Sequence, residues 1–243
     1  MTANRHQPYK CRGVNIARAI QAQKLLARKV VTRDLGGEVR RVAGVDVSYP
    51  CEKKALACLV VYDLELGRAT EASCALCEVR VPYIPGLLAF RELKPMLMAV
   101  REAGSFDAII VNGCGVNHPR RLGLASHLGI VAGVRSIGVT KRSLIKEGIL
   151  EERSGYVVRV VDGEAVEAIL RAKTGGRLVV GVGHGFSLET AVSVVRELLG
   201  WRRFPLPLAE AHMLSSKMAR LLRAEASLAD RKSDLHLSNS PLM

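Results

Sequence analysis

Apolar and polar residues alternate through VRRVAGVDVSY, so residues 39–49 are predicted to form a strand. ALACLVVYDLE (55–65) and EASCALCEVRV (71–81) continue the pattern, and Gly67 stands where a hairpin turn is wanted. Three successive strands with short connections predict an antiparallel meander. Upstream, Ile16, Ala19, Ile20 and Leu26 recur at helical spacing within residues 13–30. After Pro82 and Pro85 the period changes to that of a helix, from about Leu88 to Ala103, closed by Gly104. Strand 107–112, a helix near 121–132 and strand 135–140 follow. Strands near 156–161 and 177–182 then precede a helix opened by Ser187 and ended by Gly200. A last helix is expected over 208–222, and the polar stretch beyond it is expected to be loose. The pattern describes an α/β fold: one domain over residues 1–223 and a flexible tail over 224–243.

Composition narrows the function. Hydrophobic residues make up 49% of the 243, enough for a true core, which excludes a mainly disordered chain. Lys and Arg number 36 against 23 acids, and a net charge of +13 favours a polyanionic partner. At 4%, aromatics are too few for a surface that grips single strands mainly by stacking. No secretory leader is apparent in MTANRHQPYKCRG, and no long uncharged apolar run suggests a membrane span; a cytoplasmic protein is expected. Six cysteines lie in apolar contexts, and Cys74-Ala-Leu-Cys77 lacks a second pair at zinc spacing, so reduced buried thiols are expected.

A few polar residues interrupt this pattern where chemistry could sit. Asp46 falls inside an apolar strand, on the face shared by Val42, Gly44 and Ser48. A carboxylate there is costly unless it is paired or holds a metal; the alternative is a solvated residue at a strand end. In VPYIPGLLAFRE two prolines stiffen the loop carrying Tyr83, as a wedge between bases requires, and Glu92 follows on the helix. The bland reading makes Tyr83 a core residue and Glu92 a solvated one. In VNGCGVNHPRR, Gly113 and Gly115 leave backbone N–H groups to face a base or phosphate, and His118, Arg120 and Arg121 suit phosphate. This is neither a dinucleotide fingerprint nor a phosphate-binding P-loop. His212 alone would be an ordinary helix histidine.

In order, VAGVDVSY, VPYIPGLLAFRE, NGCGVNHPRRLGLASHLGI, IGVTKRSL, GHGFSLETAV and PLPLAEAH resemble the endonuclease V family over residues 40–215. These nucleases recognise deaminated adenine (inosine) in DNA or RNA. The resemblance implies a ribonuclease H-like mixed sheet, an antiparallel meander followed by β/α units, flanked by helices. It implies that Asp46 is a Mg²⁺ ligand, that Glu92 is the second acid and that His212 is the active-site histidine. Tyr83 matches the wedge, backbone at Gly86, Leu88 and Gly115 would line the base pocket, and Arg120 would contact nucleic acid. His118 and Lys141 fall beside the scissile phosphate. The implied activity is repair cleavage by a monomer at the second phosphodiester 3′ to inosine, leaving 3′-hydroxyl and 5′-phosphate.

Three positions depart from the family pattern. Asn112 stands where the third metal-binding Asp is expected, Gly185 replaces an Arg, and Ala209 replaces an Arg three residues before His212. An amide carbonyl still ligates Mg²⁺ but supplies no charge. The sequence therefore leaves three readings open. One is a Mg²⁺-dependent endonuclease of reduced activity, another an inosine-binding protein whose catalysis is weakened or lost. In the third, Asn112-Gly113 deamidates to restore the acid. Asp162-Gly163 is no substitute, because no Gly-x-x-His-Pro-Arg follows it.

Overall fold

Strand directions in this fold are set by its connections: tight turns give antiparallel neighbours, and helical crossovers give parallel ones. The computed structural model describes residues 14–200 and 202–237. The described part begins with helix α1 (Ile16–Ala27), capped by the Asn15 side chain accepting from the Arg18 N–H. The meander follows as β1 (Arg41–Cys51), β2 (Lys54–Asp63) and β3 (Arg68–Glu78), paired antiparallel as expected. Helix α2 (Leu88–Glu102) crosses to β4 (Ala108–Asn112), and α3 (Leu124–Ala132) crosses to β5 (Arg135–Thr140). These crossovers make β1, β4 and β5 parallel, so their C-terminal ends lie at one side of the sheet.

Four strands complete the sheet: β6 (Ile149–Arg153), β7 (Tyr156–Val161), β8 (Glu164–Arg171) and β9 (Arg177–His184). The order is β3-β2-β1-β4-β5-β9-β8-β7-β6, nine strands among the described residues. The sequence reading found β7 and β9 but missed β6 and β8. Every residue of β6 is exposed, so no alternation marks it. In β8 an apolar run is interrupted by Glu167, which blurs its period.

Helices cover both faces. The helices α4 (Leu188–Glu197) and α5 (Leu206–Leu237) share one core with Val42, Ile110, Ile137 and Val180. Helices α2 and α3 cover the other, against Ala43, Val45, Leu59 and Ile109. The split follows the odd–even alternation of β1 and β4. Helix α5 runs on to Leu237 rather than ending near residue 222. Its later turns carry no Gly or Pro and are rich in Ala, Leu, Arg and Glu, residues whose propensity favours continuing the helix.

The expectation of uniformly reduced cysteines needs correcting. Cys58 and Cys74 face each other across β2 and β3, with Cα atoms 4.2 Å apart, and are joined by a disulfide. Sequence proximity pointed to Cys74 and Cys77, whereas strand register brings together residues 16 apart. Cys51, Cys77 and Cys114 are free, and Cys11 lies outside the described residues.

Candidate active site

The parallel strands deliver two polar side chains side by side. Val45 of β1 pairs with Val111 of β4, so the residues that follow, Asp46 and Asn112, emerge as neighbours. Asn112 Nδ2 donates to Asp46 Oδ1 at 2.9 Å. The other carboxylate oxygen, Oδ2, lies 2.6 Å from His212 Nδ1 on α5. A carboxylate only accepts, so Nδ1 carries the proton and Nε2 is left as the basic ring atom. Helix α5 reaches β1 this closely because residue 44 is glycine: a Cβ there would sit 2.2 Å from the Pro207 carbonyl carbon.

Glu92 comes to the same place from the opposite face, on the second turn of α2. Tyr49, three residues past Asp46, donates its hydroxyl to Glu92 Oε1 at 2.7 Å, and Arg91 stacks 4.5 Å from the Tyr49 ring. Burial pushes the Glu92 carboxyl up to about 7, and the nearby Asp46 charge adds to that, against the Tyr49 hydrogen bond and Arg91, which lower it. Asp46 is also nearly buried. Two desolvated, mutually repelling carboxylates beside an amide form a set of hard oxygen donors suited to a divalent cation. Among the described residues, no three His, Cys, Asp or Glu side chains form a ready metal cage. The third place is taken by Asn112, which would have to turn its Oδ1 toward the ion.

Next to this cluster lies a cavity of about 320 Å³ whose walls include Tyr83, Gly86, Leu88, Asn112, Gly113 and Leu124. Tyr83 is 64% exposed at the mouth, which disposes of a core role. The Gly86 carbonyl is the anchor of one wall. It accepts from Gln23 Nε2 at 3.0 Å, Arg120 Nη2 at 2.6 Å and His118 Nε2 at 3.1 Å. His118 Nδ1 in turn accepts from the Arg120 N–H at 3.1 Å. Both ring nitrogens are thus spent on a neutral tautomer, in agreement with a pKa held down to about 4, chiefly by burial and then by Arg120.

The other positions that the resemblance singled out are held by neighbouring groups. His118 and Arg120 brace the cavity wall through the Gly86 carbonyl, and Arg120 Nε is also tied to Gln23 Oε1 at 2.6 Å. The amide of Gly115 points away from the cavity, donating to Asn117 Oδ1 at 2.8 Å, and the lining there is Gly113 and Cys114. Lys141 is exposed just past β5, with Nζ 5.4 Å from the Phe204 ring, while Arg142 lines the cavity. The glycine-rich loop folds back onto β9, the Val116 N–H donating to the Val182 carbonyl, and this turns the Gly115 amide inward.

The departures from the family pattern also separate. Gly185 follows β9, whose end pairs with the start of β5, toward the opposite end of the strands from the Asp46–Asn112 pair. Ala209 is buried in the α4–α5 core, and Asp162 sits in the β7–β8 turn. Only Asn112 touches the cluster. The Gly113 N–H that would attack the Asn112 amide in deamidation donates to the Val111 and Val139 carbonyls, at 2.8 and 3.2 Å. With Asn112 Nδ2 also engaged, this geometry opposes the ring closure.

Sequence reasoning missed Gln23, Tyr49, Asn117 and Glu167. Gln23 lies at the next helical step after Ala19 and Ile20 on the apolar stripe of α1, and Glu167 interrupts an apolar strand; both were readable as buried polar residues in wait of partners.

Comparison with known proteins places this site in context. The family model for endonuclease V matches residues 24–213. An endonuclease V of Ignicoccus hospitalis is 37% identical over 209 residues, spanning 85% of this chain and 96% of that protein. The crystal structure of an endonuclease V from Streptomyces avermitilis aligns with a TM-score of 0.76 at 31% identity, over 87% of this chain and 95% of that one. An endonuclease V of Ciona intestinalis, crystallised with a 24mer DNA containing an inosine followed by a ribo-adenosine, aligns with a TM-score of 0.78 at 26% identity, over 85% and 98% of the two chains.

Proposed function

The chain belongs to the endonuclease V family, and we propose that it cuts one strand of inosine-containing nucleic acid at the second phosphodiester 3′ to the lesion, in DNA repair, with Mg²⁺ as cofactor. The observation that carries this reading is the Asp46 carboxylate, gripped by Asn112 and His212, facing Glu92, at the edge of a cavity with an exposed tyrosine at its mouth. Asp46, Glu92 and the Asn112 carbonyl would hold the cation. A Mg²⁺ held by these residues would supply polarisation of the phosphate and stabilisation of the leaving oxygen.

The chain's own groups do the rest. His212 fixes the orientation of Asp46, and its Nε2 is free to take a proton from an attacking water. Tyr83 offers an aromatic face to fill the gap left by an extracted base. Inosine pairs weakly, so drawing it from the stack costs less than drawing out a normal base. The mainly apolar walls, built on backbone at Gly86, Leu88 and Gly113, accept a flat purine. The excess positive charge holds the phosphate backbone.

A second reading is favoured by Asn112: a protein that binds inosine-containing strands but hydrolyses them weakly or not at all. One experiment separates the two. Purified protein and the Asp46→Ala variant are incubated with inosine-containing DNA and RNA and Mg²⁺. Cleavage by the wild type alone supports the nuclease. Salt-sensitive binding by both proteins with no cleavage supports the binder, and neither binding nor cleavage rejects both.

A further inference from the structure

Behind the cavity lies a buried polar chain that the reaction does not use. Glu167 of β8 is fully buried, and both its carboxylate oxygens are occupied. Arg159 Nε, across the pair with β7, donates to Oε1 at 2.8 Å, and Asn117 Nδ2 donates to Oε2 at 3.1 Å. The Asn117 carbonyl oxygen then accepts the Gly115 N–H at 2.8 Å. Asn117 reaches Glu167 by lying over Gly181 of β9, where a Cβ would come within 2.1 Å of its Oδ1. The neighbouring Val116 N–H donates to the Val182 carbonyl at 2.7 Å.

Burying this carboxylate is expensive, and an apolar residue of similar size would stabilise the sheet as well or better. What the ion pair adds is direction. Arg159 fixes the carboxylate, the carboxylate fixes the Asn117 amide, and the amide fixes Gly115. Gly113 and Cys114, which line the cavity, and His118, which holds the Gly86 carbonyl, lie within three residues of that point. The pair thus sits in the β7–β8 hairpin, yet its chain of contacts ends on the cavity wall.

We propose that Glu167, Arg159 and Asn117 are positioning residues for base selection: a buried clamp that sets the wall at Gly113–Cys114 and so the discrimination between hypoxanthine and other purines. The substrate class rests on the reading above; the clamp itself does not. A small recess tells one purine from another by displacements of a fraction of an ångström, and a loop carrying two glycines lacks the stiffness to hold them alone.

The test uses the full chain with Asn117→Ala and Glu167→Gln, beside Val192→Ala, a buried substitution in the same core but outside the chain of contacts. The first readout needs no substrate: alkylation of the buried Cys114 thiol, followed by peptide mass spectrometry. The clamp variants should react about tenfold faster or more, as expected when a buried hydrogen bond to a charged group no longer holds the loop shut, whereas Val192→Ala should match the wild type. The second readout is the ratio of affinities for inosine- and adenine-containing strands without divalent metal. Asn117→Ala and Glu167→Gln should lower it about tenfold, with adenine-strand affinity and salt dependence kept. Unchanged Cys114 reactivity in both clamp variants overturns the clamp. Faster reactivity with an unchanged ratio overturns its part in selection. If wild-type protein shows no preference for inosine, the functional reading and the selection role both fall, and the clamp stands or falls on alkylation.

Discussion

Asn112→Asp restores the acid that the family pattern expects, and the structure gives its cost. The Nδ2–H that donates to Asp46 Oδ1 at 2.9 Å becomes a carboxylate oxygen, so an attraction turns into a repulsion. Losing a hydrogen bond to a charged group costs about 1.5–3 kcal/mol. Two like charges about 4 Å apart add up to about 4 kcal/mol at the effective dielectric of such sites. The second contribution is capped, because Glu92, already pushed up to about 7, sits ready to keep a proton when a third carboxylate arrives. A net loss of about 3 kcal/mol is expected, which in a chain of this size lowers Tm by about 6–12 °C. With Mg²⁺ the gap narrows, since three acids hold a hard cation better than two. Saturation to a hundred times Kd returns about 2.7 kcal/mol. The assay is thermal unfolding of wild type and Asn112→Asp in mildly alkaline buffer, in chelator and in millimolar Mg²⁺, with cleavage measured alongside. If the variant is as stable as wild type in chelator, or gains no more from Mg²⁺ than wild type does, Asp46 and Asn112 do not form half of a cation site.

Other expectations follow from single residues. The folded pKa of His118, about 4, lies below its ordinary 6.5, so the unfolded chain binds the extra proton first. Its contribution is complete above pH 6.5 and fades as pH falls toward 4, a loss of about 3 kcal/mol. Glu92 acts in the opposite sense, so the measure is the difference in urea stability between wild type and His118→Asn across that window. A difference independent of pH would reject the neutral, doubly bonded imidazole. Tyr83→Ala should leave stability within about 0.5 kcal/mol because the side chain is largely exposed, yet weaken binding to an inosine-containing strand about tenfold. Equal affinities in fluorescence anisotropy would remove Tyr83 from the interface. Reducing the Cys58–Cys74 bond should cost about 3 kcal/mol, since it closes a short loop. A Tm that does not respond to dithiothreitol would show that the thiols are not joined in solution.

The sequence disclosed elements with a clean period and hid those without one. The meander, both crossover units and the capped start of α4 followed from alternation and from Ser187, whose side chain accepts from the Thr190 N–H. Exposed β6 has no apolar face to announce it, and α5 continues through residues that favour helix. Among site residues, Asp46 stood out because a carboxylate in an apolar strand demands a reason. Asn112, Glu92 and His212 needed the family likeness, for none breaks its local pattern. His118 and Arg120 were legible as polar residues of this region, but their hydrogen-bond partners were not. Charge and position in sequence are readable, but which way a side chain turns depends on partners such as Gln23, 97 residues before Arg120.

Asp46 waits on groups supplied by residues 66 and 166 positions further along. Asn112 can grip Asp46 Oδ1 as soon as β4 pairs with β1, but Oδ2 has no such partner until α5 is made. Only when the final helix docks across Gly44 does His212 arrive. A copy of the chain that stops before residue 212 therefore lacks the imidazole that holds Asp46 Oδ2.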